Sequence, residues 1–308
     1  MLAAIILILI ALWRITSGEW DISFADVIRF LLTDSNSAEA IVIRSVRLPR
    51  LLCSMGTGGI LSVSGVILQG LLANPLAEPY TLGIASGAAF GAAVGILGGT
   101  FMVMPCAFVG ALVSLLLTGS IAHQGGRDRI ILAGVISNAV LSAGVTLLKA
   151  TAGDKLGAVV LWLMGSFSGA GWNDVWGVTF GAMAVIFPAY IFGNALDAMS
   201  LGEDRGSVLG VNENFVRCVL LVCASTGTAL CVSSFGVIGF VGLLVPHISR
   251  GLVGASHRRV IVNAFVVGGG LMCLADGLAQ KLGEIPVGVI TALTGGPFFC
   301  RVLTEKRG

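Results

Sequence analysis

Side chains able to do chemistry are few in this sequence, and their spacing argues against most reactions. Between Arg50 and Arg127 the sole charged residue is Glu78. His123, His247 and His257 fall in or beside polar connections, and Cys53, Cys106, Cys218, Cys223, Cys231, Cys273 and Cys300 fall inside or beside apolar segments with no CxxC. They read as small packing residues rather than metal ligands or disulfide partners. No HExxH and no Ser/His/Asp set occurs, and no Gly-rich loop with a following Lys is present to cradle a nucleotide, so nothing in the chain hydrolyses ATP. Ion-coupled transport needs ionisable groups at membrane depth. Here Asp276 and Lys149 lie near the ends of apolar segments and the interiors are almost free of charge. What remains are residues suited to docking and capping: Arg47-Leu48-Pro49-Arg50, the turn Asn74 to Gly83, and Ser200-Leu201-Gly202-Glu203.

The elements that must position these residues are apolar helices. Charged residues are 11% of the chain and hydrophobic ones 56%, with mean hydropathy +0.98. A net charge of +2 offers no basic face for nucleic acid. A membrane crossing takes about 20 apolar residues, so the stretch after Arg50 holds about three, and Glu78 marks where the chain comes up for water. Cutting at charges, prolines and polar clusters gives ten candidate spans, at 1–17, 50–72, 82–99, 102–122, 130–150, 175–195, 214–234, 236–253, 259–279 and 286–304. The first could be taken for a signal peptide, but it has no basic start and no small-residue cleavage site before Arg14, which favours a first span. Segment 156–173, broken by Gly165 to Gly171, reads as a partial or surface helix.

With both termini cytoplasmic, ten basic residues lie inside and eight outside, the direction the positive-inside rule requires. Gly83, Gly87, Gly91, Gly95 and Gly99 recur every four residues and put a smooth groove on one helix face for a close neighbour. A faint internal echo links Gly65-Val66-Ile67 to Gly236-Val237-Ile238.

Ser200 and Glu203 have capping-box spacing and Gly210 suits the end of the helix they would start. The result is a short amphipathic helix near 200–210, apolar through Leu201, Val208 and Leu209 and polar through Glu203, Asp204 and Arg205. It would dock a partner or rest on lipid headgroups. On the opposite side Arg47 and Arg50 present two guanidinium groups at the mouth of the second span, exposed to lipid phosphate or to the acids of a docking protein.

Taken in order, these strings resemble the FecCD-type permeases, the membrane subunits of ABC importers for iron–siderophore complexes, haem and cobalamin. The resemblance runs through Arg47-Leu48-Pro49-Arg50, Ser64-Gly65 to Gln69, Asn74-Pro75-Leu76-Ala77-Glu78-Pro79, Leu82-Gly83 and Ser86-Gly87-Ala88. It continues with Trp162 to Ser166, Leu201-Gly202-Glu203, Leu209-Gly210-Val211 and Gly236 to Leu243. Pro246-His247 with Arg250, Ala275-Asp276, Glu284 to Gly288 and Gly295 to Phe299 complete it.

This resemblance implies an all-α integral membrane protein of about ten transmembrane helices with both termini cytoplasmic. Residues 1–308 would form one permease domain of the type II ABC importer fold, multi-pass in the bacterial cytoplasmic (inner) membrane. It implies no enzyme and no cofactor on this chain, ATP and Mg being bound by a partner ATPase. The partners implied are a second copy or a close paralogue, two cytoplasmic ATPase subunits, an extracytoplasmic substrate-binding protein and the surrounding membrane lipid. By the same resemblance Arg47 and Arg50, with Lys281 as a third contact, would pair with glutamates of the binding protein. Leu201, Gly202, Glu203, Asp204, Arg205, Leu209 and Gly210 would form the coupling helix. The fifth and tenth helices would line the pathway through Asn138, Ser142, Thr146, Thr291 and Thr294. His247 would be structural, and Asn74 and Glu78 would organise their turn, capping a helix that starts near Thr81. A ferric siderophore is the first expected cargo, then haem, then cobalamin. An ion-coupled secondary transporter is the alternative class.

Overall fold

The computed structural model describes residues 2–17, 22–32, 37–99, 102–122, 127–200 and 212–305. Among them the chain forms helices and turns, with no strand. In chain order these are α1 (Leu2–Thr16), α2 (Phe24–Leu32), α3 (Ala38–Leu71), α4 (Ile84–Gly98) and α5 (Val103–Ala122). There follow α6 (Arg127–Thr151), α7 (Leu156–Leu163), α8 (Trp172–Ile191) and α9 (Gly193–Ser200). The last four are α10 (Glu213–Phe235), α11 (Val241–Val253), α12 (His257–Lys281) and α13 (Val287–Glu305). Each of the ten apolar segments holds one of these helices. Six of them (α3, α5, α6, α8, α10 and α12) are long and apolar enough to cross a membrane, and α1, α4, α11 and α13 are shorter apolar helices.

The second span departs from expectation at its start. Pro49 suits a first helical turn, yet the helix runs unbroken from Ala38. Ile43–Arg47 form a single π turn, in which the Leu48 N–H reaches back five residues to the Ile43 carbonyl. Pro49 has no N–H to donate, so a helix entering it must lose or shift a hydrogen bond. The wider turn takes up that shift, and Arg44, Arg47 and Arg50 lie within the helix rather than at its mouth.

Helix α3 is buried almost throughout from Leu51 to Leu71, and α8, α10, α11 and α12 pack around it. This is why it shows no polar face. The glycine ladder does what its spacing predicts: α4 lies against α5, and a Cβ built on Gly91 would stand 2.0 Å from the Cys106 carbonyl oxygen. Its outer members, Gly83 (φ 77°) and Gly99 (φ 141°), cap α4 rather than extend it.

Two connections run inside the bundle. A Cβ on Gly65 would stand 1.9 Å from the Gly242 carbonyl oxygen, so α11 begins beside a point six residues before the end of α3. The preceding link therefore enters between helices as non-helical chain. Such backbone is tolerated in an apolar setting only when protein groups satisfy it. The Tyr80 hydroxyl does so for Ile238, accepting its N–H at 2.9 Å and donating to its carbonyl. Segment 156–173 holds the short, largely exposed helix α7, as expected, but the link that follows it runs inside. After α7, the Ser166 N–H donates to the Phe235 carbonyl at 2.8 Å and the Val287 N–H to the Gly165 carbonyl at 3.0 Å, while Phe167 is fully buried.

Candidate functional site: a buried charge network and a polar groove

Where α3, α12 and the end of α1 meet, the structure assembles a cluster of two cations and two anions. Arg50 grips Asp276 through Nε (3.0 Å to Oδ2) and Nη2 (2.8 Å to Oδ1). Its Nη1 and Nη2 also donate to the two Glu284 carboxylate oxygens at 2.9 and 2.8 Å. Arg14 closes the cluster, with Nη2 2.7 Å from Asp276 Oδ2 and Nη1 2.5 Å from Gln280 Oε1. The Arg50 and Asp276 side chains are 7% and 1% exposed and Glu284 is 41% exposed. The Arg50 guanidinium thus faces two carboxylates in multidentate geometry, the form in which a buried charge is tolerable, while Arg14 adds one contact to Asp276 and one to the Gln280 amide.

The expectation of two exposed arginines is corrected here. Arg50 is spent on Asp276 and Glu284, and Arg47 is buried, its Nη1 donating to the Ile15 and Thr16 carbonyls at 3.0 and 3.2 Å. Those carbonyls lie at the C-terminal end of α1, where a cation is favoured. Lys281, by contrast, is exposed, its ammonium 5.1 Å from the centre of the Trp13 ring. It lines a cavity of about 310 Å³ with Trp13, Arg14 and Gln280. Arg14 escaped the sequence reading, although one signal was available. A carboxylate such as Asp276, inside an apolar helix, must find a cationic partner.

The second feature is a groove of about 410 Å³ on α6 and α4. Asn138, Ser142 and Thr146 are spaced by four and fall on one face of α6, with Lys149 one turn further. Ser86 from α4 and Tyr80 complete the polar lining, and Ser86 hydrogen-bonds to Asn138. The two α13 threonines are not brought to it. Thr291 is buried and donates to the Gly288 carbonyl, and Thr294 donates to that of Ile290. The groove walls carry hydroxyls, an amide and one ammonium.

The chain surfaces at the turn before Glu78, where Ala73, Pro75 and Leu76 are exposed, but the half-buried Glu78 side chain does not cap the helix after its own turn. That helix starts at Ile84 with Gly83 as its N-cap. The Glu78 carboxylate instead faces the backbone N–H of Phe240, the residue that opens α11 with φ 69°. Its Oε2 is buried and meets no hydrogen-bond donor among the described residues. Asn74 does organise the turn, its Oδ1 accepting the Leu76 N–H at 2.9 Å. The helix that Ser200 would cap lies outside the described residues. Ser200 itself ends α9, and its hydroxyl donates to the Asp197 carbonyl at 2.7 Å. Leu201, Gly202, Glu203, Asp204, Arg205, Leu209 and Gly210 lie outside the described residues.

A bundle of apolar helices with non-helical links at depth, charges gathered at helix ends and an uncharged polar stripe on one helix defines a multi-pass membrane permease. The chain belongs to the FecCD transport family, which it matches over residues 4–305. It is 36% identical over 329 aligned positions to a hemin transport system permease of Yersinia pestis, covering 98% of this chain and 94% of that one. It is 35% identical to a cobalamin import system permease of Halobacterium salinarum, covering 86% of this chain and 74% of that one. Among solved structures it superposes with a TM-score of 0.89 and 30% identity on one described as an inward-facing conformation of a metal-chelate type ABC transporter, covering 98% and 97% of the two chains. The chain is therefore a membrane permease of the ABC importer class, not an enzyme.

Proposed function

We propose that this chain is the translocating subunit of an importer for a metal chelate, a ferric siderophore in the first instance, driven by a separate ATPase. The observation that carries this reading is the full-length superposition on a metal-chelate type transporter. The hemin and cobalamin permeases among its relatives make haem and cobalamin the next cargoes to test. In this reading all ten apolar helices cross the membrane and both termini are cytoplasmic. The four short helices reach across with the help of the non-helical links that protein groups satisfy.

Two copies would enclose the pathway, with Asn138, Ser142 and Thr146 facing it and Thr291 and Thr294 shaping the tenth helix. A wall of hydroxyls and amides holds a bulky polar chelate weakly, which suits passage rather than storage. Residues 201–210 would dock two ATPase subunits, which bind ATP and Mg. ATP binding and hydrolysis there would shift the dimer between outward- and inward-open states. The binding protein would land where Lys281 is exposed beside Arg47 and Arg50.

The test is ATP-driven uptake in proteoliposomes holding the full complex, offered ferric siderophores, haem and cobalamin in parallel. Accumulation of one chelate that requires ATP and survives an uncoupler supports the reading. Uptake that ignores ATP and collapses with the uncoupler points to the ion-coupled class and overturns it. Asn138→Leu with Ser142→Leu should lower the uptake rate while leaving complex assembly intact.

A further inference from the structure

At the opposite end of the bundle from Arg50, a second groove runs between α1, α11 and α12. Its apolar part, about 530 Å³, is lined by Leu7 and Ile10 of α1 and by Val266, Leu271 and Leu274 of α12. Towards the start of α12 it continues into a further cavity of about 410 Å³ that carries Arg258 and Arg259. Asn263 lines both parts and joins them. Its Oδ1 is buried and accepts no hydrogen bond among the described residues. Among the described residues no carboxylate lines either part.

The dimensions are those of one lipid leaflet. From Asn263 to Leu274 is 11 residues, about 17 Å at the helical rise, beside about 15 Å for half of a bilayer's hydrocarbon core. Arg258 and Arg259 lie four to five residues beyond Asn263, at the depth where headgroups begin. Arg258 is fixed in place, its Nε donating to the Tyr190 carbonyl at 3.3 Å and its guanidinium stacked 5.4 Å from the Tyr190 ring centre. Arg259 is exposed. A paired cation at the rim of an apolar slot complements an anionic phosphate carried on acyl chains, and a guanidinium suits phosphate better than an ammonium does.

We infer that this groove binds one anionic glycerophospholipid, its acyl chains along α12 and its phosphate at Arg258 and Arg259. The inference rests on the membrane reading and on the assigned orientation only for its leaflet, which is the cytoplasmic one. Its test does not depend on transport.

The full chain, purified in mild detergent, is incubated with palmitoyl-oleoyl phosphatidylglycerol or the matching phosphatidylcholine, and retained lipid is counted by native mass spectrometry. Wild type should retain one phosphatidylglycerol in preference to phosphatidylcholine. Arg258→Gln with Arg259→Gln should weaken that preference about thirtyfold, whereas Arg217→Gln, a cation on another helix, should not. Val266→Trp, which fills the apolar slot, should lose both lipids while the double Gln variant keeps the phosphatidylcholine level of wild type. Equal retention of the two lipids by wild type, or an unchanged preference in the double variant, overturns the proposal. So does competition by inorganic phosphate alone, which would mark a free-anion site. A change in subunit stoichiometry with Val266→Trp would assign the groove to a second protein chain and overturn it as well.

Discussion

Arg50 and Asp276 stand 226 positions apart in sequence and form a bidentate ion pair, with Arg50 Nη2 2.8 Å from Asp276 Oδ1. This contact fastens α3, the most buried helix, to the end of α12. Arg14 also holds Asp276, and whereas Arg50 has Glu284 as a second carboxylate, Arg14 has Asp276 alone among the described residues. Removing it should cost more than removing either arginine. Asp276→Asn is expected to destabilise the fold by about 3–5 kcal/mol, the usual penalty for an uncompensated buried charge. Arg14→Gln combined with Asp276→Asn should recover part of that loss, because it removes the cation that Asp276→Asn leaves without a carboxylate. Thermal unfolding in detergent reads both, and a double variant no more stable than Asp276→Asn would show that the pair is not coupled.

A similar argument applies to Glu78, whose carboxylate faces the Phe240 N–H at the start of α11. An orphan donor at a helix start is worth about 1 kcal/mol to satisfy. Glu78→Gln keeps an acceptor and should be mild, whereas Glu78→Ala should be worse by about 1–2 kcal/mol. Hydrogen exchange offers a local readout, with amides near residues 240–244 exchanging faster in Glu78→Ala. Equal exchange in the two variants would remove Glu78 from the cap.

The contrast between these sites shows what the sequence could and could not reveal. Helix locations were legible because each apolar run is bounded by charges or by Gly and Pro, and the spacing of Gly87, Gly91 and Gly95 announced a close neighbour. The partners were not. Nothing local to Arg50 distinguishes a guanidinium waiting for another protein from one already held by Asp276 and Glu284. The same holds for Glu78: a lone charge in an apolar stretch marks the exposed turn beside it, but nothing local shows that its carboxylate turns inward to face the start of α11. The π turn was hidden because Pro49 is equally compatible with a helix start.

The glycine seam allows a controlled comparison within one helix. A Cβ on Gly91 would stand 2.0 Å from the Cys106 carbonyl oxygen, while one on Gly98 would meet nothing within 4 Å. Gly91→Leu should force α4 from α5 and destabilise by about 1–3 kcal/mol or more. Gly98→Ala should be neutral or stabilising by up to about 1 kcal/mol, because alanine is the better helix former. Thermal unfolding of the two variants side by side checks this. Equal effects would mean that α4 and α5 do not meet closely through Gly91.

Docking is best tested at Lys281 rather than at the arginines. Reversing Arg50 would place a third carboxylate against Asp276 and Glu284, so lost binding would be confounded with lost structure. Lys281 is exposed and rests on Trp13 without a carboxylate partner among the described residues. Lys281→Glu should therefore leave thermal stability within about 0.5 kcal/mol, as surface changes usually do. It should also weaken association with an acidic binding protein, and more so at low salt, where exposed charges act over a longer range. Arg50→Glu should lower both stability and association. Association measured by surface-immobilised binding at two ionic strengths separates these outcomes. If Lys281→Glu binds as wild type does at both, the landing site lies away from this end of α12, and the cluster around Arg50 serves only to hold the helices together.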